Sequence, residues 1–284
     1  MTLSQDYTVF SPDRWSGKIN EFFKANLVAA KFFDDYSEDI EPGAASVYIP
    51  SMRESNTFAA ASIATTSGEL TATNLSDTKT QLSLGTWEGA SFVMTKYDKA
   101  RFAKNYNLQE RYARDAAYAC AKKLDTDILA QSSNIVDAVG DSATSILETS
   151  LEKAIGILES NSVPREEVAW FFHPKAYWNE VMRNSNLIDA SKYGRAVLPN
   201  PPHNELFGIP VYITPQVPAG TAGTEGGHRN LLVHPSCIVY AVANGGPQIQ
   251  EMPSEHLRTR VTADVLYGTT CLNPKRGVRI ISKN

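Results

Sequence analysis

Apolar side chains recur at helical spacing in three stretches of this chain, and each stretch predicts a helix. The first runs through Trp15, Ile19, Phe22, Phe23, Leu27 and Ala30 and fades near Phe32 and Phe33. Its start is marked by Ser11, which can accept from free backbone amides, by Pro12 at the first helical position and by Asp13 against the positive helix end. The longest recurrence is Leu108, Tyr112, Ala116, Cys120, Leu124 and Ile128, with Ala113, Ala117 and Ala121 beside it. It predicts a helix from about Asp98 or Leu108 to Gln131, roughly 35 Å long or more, the backbone of a flat domain. A third helix is expected from Ser145, whose box with Glu148 can satisfy two amides reciprocally, with Ile146, Leu147, Leu151, Ala154, Ile155 and Leu158 on its buried side.

Elsewhere the pattern is that of strands and loops. The acidic group Asp34, Asp35, Glu38, Asp39 and Glu41 precedes Pro42-Gly43, a pair suited to a type II turn, and then a short strand, Val47-Tyr48-Ile49, closed by Pro50. Residues 51–75 are rich in Ser, Thr, Ala and Asn, without helical period, and cannot build a core of their own. Leu82 and Leu84 follow, then Gly85, a turn signal at Glu88-Gly89 and the apolar run Phe92-Val93-Met94. The whole reads as a long extended hairpin or loop, of a length that usually serves a partner.

Past Pro164, residues 168–172 read as a buried strand, and His173-Pro174 opens a short helix carrying Tyr177, Trp178, Val181 and Met182. Residues 184–204, with Pro199 and Pro201-Pro202, are irregular. Strands are expected at 209–214, ended by Pro215, and at 231–233, 238–242, 248–252, 258–267 and 278–281, with a glycine-rich loop at 220–227. Helices and strands mix without strict alternation, so the fold class is α+β.

Composition narrows what this fold can be for. A chain of 284 residues has room for two packed modules or one with large extensions, and 42% hydrophobic with 20% charged residues is ordinary for a folded protein. A formal charge of -4 argues against gripping nucleic acid, which needs many Lys and Arg on one face. Cys120, Cys237 and Cys271 are odd in number and far apart, supporting neither a disulfide framework nor a zinc site. Residues 1–10 lack a basic-then-apolar leader and no apolar run approaches eighteen residues, so a soluble, cytoplasmic product with no membrane partner is expected.

Motifs for chemistry are missing. There is no Gly-x-Ser-x-Gly elbow, and His173, His203, His228, His234 and His256 form no HExxH or similar pair. His173 and His234 each precede proline at an element boundary, which suits a structural role. The glycines at 220, 223, 226 and 227 lack the GxxxxGK[ST] spacing and lead into a strand, so a flexible loop is the better reading than a phosphate cradle. Glu166-Glu167 and the acidic group at 34–41 follow no EF-hand pattern and read as solvated faces. Trp15, Tyr112, Trp170, Tyr177 and Trp178 read as core packing rather than a cofactor or nucleobase box. No catalytic residue, cofactor or metal ligand is expected.

The order of elements resembles the Hong Kong 97-type capsid fold of tailed-phage major coat proteins: arm, long extended loop, spine helix, second helix, mixed central domain and returning strands. The resemblance is carried by the strand-helix step Val168-Ala-Trp-Phe-Phe-His-Pro174, by Leu206-Phe-Gly-Ile-Pro-Val-Tyr-Ile-Thr-Pro215, and by Asp264-Val-Leu-Tyr-Gly-Thr-Thr-Cys-Leu-Asn-Pro274 with Gly277-Val-Arg-Ile280. It implies an N-terminal arm and helix at 1–45, an extension loop at 46–96, a peripheral domain with the spine helix at 97–160, an axial domain at 161–245 and return strands to the periphery at 246–284. It implies self-assembly into pentamers and hexamers that close an icosahedral virion head around double-stranded DNA, without sequence-specific contacts. Portal and scaffolding proteins, and a decoration protein, are the implied partners. Some members of the family cross-link a loop lysine to a neighbour's asparagine; Lys79 and Asn273 match that pattern poorly, and Lys79 reads as a surface lysine. The alternatives are an encapsulin-like shell housing an enzyme and a soluble hydrolase with an unfamiliar site.

Overall fold

The computed structural model describes residues 27–41, 44–52, 77–95, 108–141, 143–183, 205–220, 227–243, 248–254 and 258–283. The expected helix start at Ser11 to Asp13, the Pro42-Gly43 turn, the Ser/Thr-rich stretch at 53–76, the irregular segment at 184–204 and the tip of the glycine loop lie outside the described residues. In chain order the elements are α1 (Ala29–Phe32), β1 (Asp34–Asp35), β2 (Ser46–Met52), β3 (Asp77–Ser83), β4 (Thr86–Thr95), α2 (Leu108–Ala130), β5 (Asp137–Val139), α3 (Glu148–Ser160), β6 (Ala169–Phe172) and α4 (Pro174–Ala176). A π turn (Tyr177–Val181) extends α4, and then come β7 (Glu205–Leu206), β8 (Ile209–Ile213), β9 (Arg229–Val233), β10 (Ile238–Val242), β11 (Gln248–Ser254), β12 (Arg258–Cys271) and β13 (Gly277–Ile281).

Two large sheets organise these elements. One runs β1-β10-β12-β11, with β4 along the other side of β12; the second runs β5-β13-β9-β6-β8-β7; β2 and β3 form a separate antiparallel pair. Strand alternation splits the second sheet between two cores. Ala169 and Phe171 of β6 and Leu231 and Val233 of β9 face α1 and α2, where Ala116, Cys120, Leu124 and Ile128 are buried. Trp170, Phe172, Leu232, Val278 and Ile280 face the opposite way, against α3 and α4. Buried Asn230 ties three strands on that side: its Oδ1 accepts from the His173 amide (2.8 Å) and its amide donates to the Ile280 carbonyl (3.2 Å). The 23 residues of α2 make it about 35 Å long, and its C-terminal half carries the long stripe seen in the sequence.

Several expectations are corrected. The third helix starts at Glu148 with extended Leu147 before it, because the Ile146 amide is taken by the Glu180 carboxylate (2.7 Å) and the Ser145 box never closes. Pro50 lies inside β2 opposite Lys79, a place it can hold in a two-stranded pair with a free edge. Glu88-Gly89 is mid-strand: β4 pairs with β12 over ten positions, and the turn from β3 is at Gly85. Gly89 sits in a close strand approach there, where a Cβ would stand 3.3 Å from the Ala263 carbonyl oxygen. Among the five aromatics read as core, Trp170 and Tyr177 are buried, Tyr112 and Trp178 are exposed, and Trp15 lies outside the described residues.

Trp170 and Trp178 give the sharpest contrast. Trp170 is fully buried, stacks on Phe172 (5.6 Å between centroids) and donates to the Leu206 carbonyl (3.1 Å), whereas Trp178 is 56% exposed. In urea unfolding, Trp170→Ala is expected to cost about 3–5 kcal/mol and Trp178→Ala under about 0.5 kcal/mol.

Candidate interaction surface

The outward face of the first sheet is divided into a roofed half and an open half. β10 is buried on both sides: Ile238, Tyr240 and Val242 point to the α2 core, and Val239 and Ala241 point away from it. That second side is covered by the foot of the β2-β3 pair, through Ile49, Leu82 and Leu84, with Val47 and Tyr36 at the margin. The foot crosses β12 at Gly268, where any Cβ would stand 2.2 Å from the Ser83 carbonyl oxygen. Only glycine permits this crossing. Next to it Tyr267 points inward and donates to Asp127 of α2 (2.5 Å), and its buried phenol is pushed well above the usual range, chiefly by desolvation. The Tyr-Gly pair thus fixes the sheet to the spine helix on one side and admits the hairpin on the other.

Within the stretch at 46–96 that the resemblance implies to be an extension loop, part of the β2-β3 pair and all of β4 pack on the chain's own body. Val47, Ile49, Leu82 and Leu84 are roofing, and β4 is a strand of the body. The open half of the face carries Trp87, Gly89, Ser91 and Val93 of β4 and Arg260, Thr262, Asp264 and Leu266 of β12, in cross-strand register. Trp87 is 74% exposed and Val93 48% exposed. The Trp87 indole donates to Asp264 (3.0 Å), so this large apolar ring is held in place before any partner arrives. Covering such a ring would contribute roughly 2–3 kcal/mol. On the hairpin's own upper face Tyr48 is 53% exposed with the Lys79 ammonium 4.6 Å above its ring, while the Asn273 amide donates to the Ser236 carbonyl (3.0 Å).

The acidic segment folds on itself. Asp35 accepts from the Ser37 amide (2.8 Å) and hydroxyl, Glu38, Asp39 and Glu41 face solvent, and no metal-holding group exists among the described residues. Asp125, buried on α2, accepts from the amides of Val28 (3.3 Å) and Ala30 (3.0 Å), and Tyr240 donates to the Ala30 carbonyl (2.6 Å), anchoring the chain that enters from the N-terminal side. Burial pushes the Asp125 carboxyl up and the Tyr240 phenol to about 12.

Both His-Pro steps are caps. The His173 Nδ1 accepts from the Lys175 amide (3.2 Å) and the His234 Nδ1 from the Ser236 amide (3.2 Å), while His234 Nε2 meets Glu167 at 2.7 Å. His173 also stacks on His228, ring centroids 3.4 Å apart, beside an open depression of about 450 Å³ lined by Lys175, Glu180, Ser282 and Lys283 among others. Sequence reasoning foresaw structural histidines but not their meeting, which depends on the return of β9 and β13 beside α4. His203 and His256 lie outside the described residues.

Comparisons with known proteins agree with this geometry. A family model described as phage capsid protein matches residues 77–280. No curated protein matches. Among solved structures, the chain is similar to one from Mycobacterium phage Che8 (TM-score 0.76, 20% identity, covering 95% of this chain and 97% of that one). It is also similar to a chain of the bacteriophage PhiM1 mature capsid asymmetric unit (0.73, 13%, 98% and 96%) and to one from the capsid of an empty GTA particle (0.67, 11%, 98% and 97%). At these identities the likeness shows a shared fold.

Two predictions follow from the site. Gly268→Ala is expected to lift the hairpin foot and cost about 1–3 kcal/mol in urea unfolding, whereas Gly156→Ala, in open space on α3, should stabilise by about 1 kcal/mol. Burial, then His228 and Lys175, hold the His173 imidazole down at about 4 against an ordinary 6.5, so the unfolded chain binds the extra proton between those values. The stability this group contributes is full above pH 6.5 and lost as pH falls toward 4. Thermal scans across that window should show wild type losing stability more steeply than His173→Phe, which keeps a ring on His228 but cannot titrate.

Proposed function

The chain belongs to the phage capsid protein family and is a structural subunit that self-assembles into a phage-type head shell, and on that premise we propose how its parts divide the work. Residues 53–76, which join β2 to β3 in the sequence, contact a neighbouring copy, and the open half-face around Trp87 receives the corresponding part of another copy. The observation that carries this reading is the pairing of a preset, exposed tryptophan with a Ser/Thr-rich segment that has too few apolar residues to be stable alone. Each subunit is then both giver and receiver, as a closed ring requires.

The peripheral unit is built on α2 with β4, β10, β11 and β12. The axial unit is the six-stranded sheet with α3 and α4. Compared with the partition implied by resemblance, this reading puts α3, β5 and β13 in the axial unit and β10 in the peripheral one, supported by the core that Val139, Leu151 and Ile280 share around Trp170 and by the pairing of β10 with β12. Pentamers and hexamers form around the axial units and enclose double-stranded DNA without reading its sequence, in keeping with the formal charge of -4. A portal, a scaffold and a decoration protein are the outside partners. The work is done by surfaces and calls for no catalytic residue, cofactor or metal. Family membership favours this head over an enzyme-housing compartment or a hydrolase.

Deleting all of 51–94 would strip β3 and β4 from the body, so the test must be narrower. Replacing 53–76 by a short Gly-Ser turn is expected to leave a folded subunit by circular dichroism and no particles by sedimentation or negative-stain imaging. Trp87→Ala should raise the concentration needed for assembly by about tenfold or more. Normal shell yield from both variants would contradict the reading.

A further inference from the structure

Two of the three thiols meet at the junction of the two units. Cys237 closes the short turn leading into β10, and Cys271 is the last residue of β12, the strand paired with β10. Ile238 lies opposite Cys271, and the Cys237 carbonyl accepts from the amides of both Leu272 (2.9 Å) and Asn273 (3.2 Å), which draws the two segments together past the last regular pair. Both side chains turn to the same core, Cys237 within it and Cys271 at its edge. Gly277 leaves room for the Cys237 sulfur, which a Cβ there would meet at 2.9 Å. Cys120 is elsewhere, on α2, its thiol donating to the Ala263 carbonyl (3.4 Å).

We propose that Cys237 and Cys271 are a dithiol that closes to an intrachain disulfide after the shell leaves the reducing interior of the cell. A virion subunit is made where thiols are kept reduced and then persists where they are not. The pair is graded for stepwise exchange. Cys237 is fully buried and Cys271 partly exposed; the neighbouring Cys271 sulfur and burial push the Cys237 thiol up, while the Cys237 thiol beside it draws the Cys271 thiol down. Cys271 attacks a small-molecule disulfide, forming a mixed disulfide and releasing one small thiol; Cys237 then attacks the Cys271 sulfur and expels the second. Two protein thiols become one protein disulfide as one small disulfide becomes two thiols, so atoms and electrons balance. The bond would tie the entry of β10 to the exit of β12, where the chain crosses to β13 and the axial unit.

The test uses the full-length protein, before and after assembly, incubated with oxidised glutathione, unfolded in an alkylating agent and weighed intact. The expected product is two hydrogens lighter, alkylated only at Cys120, with a Cys237–Cys271 peptide link and a thermal midpoint raised by roughly 5 °C. Cys237→Ser should stop at a glutathione adduct on Cys271, and Cys271→Ser should take up none at Cys237. Three alkylated cysteines in both preparations, a bond involving Cys120, or cross-linked dimers on a non-reducing gel would each overturn the proposal.

Discussion

The contact on which the structure turns is the crossing of the hairpin foot over the first sheet. β10 has no polar face to offer water: every one of its five residues is buried. Its Val239 and Ala241 side would be an open apolar surface if Ile49, Leu82 and Leu84 did not lie on it. The foot can reach them only because Gly268 carries no side chain beneath the Ser83 carbonyl. One missing methyl group therefore decides whether the sheet is sealed.

That sealed sheet is coupled to the second through α2. The same helix buries Cys120, Leu124 and Ile128 against Phe171, Leu231 and Val233 on one side and Tyr240, Ala263 and Tyr267 on the other. The two sheets thus share one core, with hydrogen bonds from Tyr267 to Asp127 and from Tyr240 to Ala30 marking its polar margin. A shell subunit needs this rigidity, since contacts made at one end must set the position of surfaces at the other.

Much of this was legible beforehand, and the failures have physical causes. The α2 stripe, the buried Val168-to-Phe172 strand and the helix start at His173-Pro174 followed from spacing and capping chemistry that are local. The Tyr267-Gly268 pair stood out by resemblance, but its reason, a backbone oxygen from residue 83 arriving overhead, is a long-range contact that no local pattern encodes. The Glu88-Gly89 turn was misread because glycine serves both turns and close strand approach, and only the β4-β12 pairing separates the two. Tyr112 and Trp178 were misplaced since helical spacing gives a face, not what covers it. The Cys237–Cys271 meeting was hidden for the same reason as the His173–His228 stack: each joins residues far apart in the chain.

Hydrogen exchange on the unassembled subunit probes the roof directly. If the foot closes onto its own β10, backbone amides in 80–83 and 239–241 should exchange slowly in the isolated chain and change little on assembly. Fast exchange at those amides in the subunit, with protection appearing only in the shell, would mean that a neighbour and not the chain itself supplies the cover.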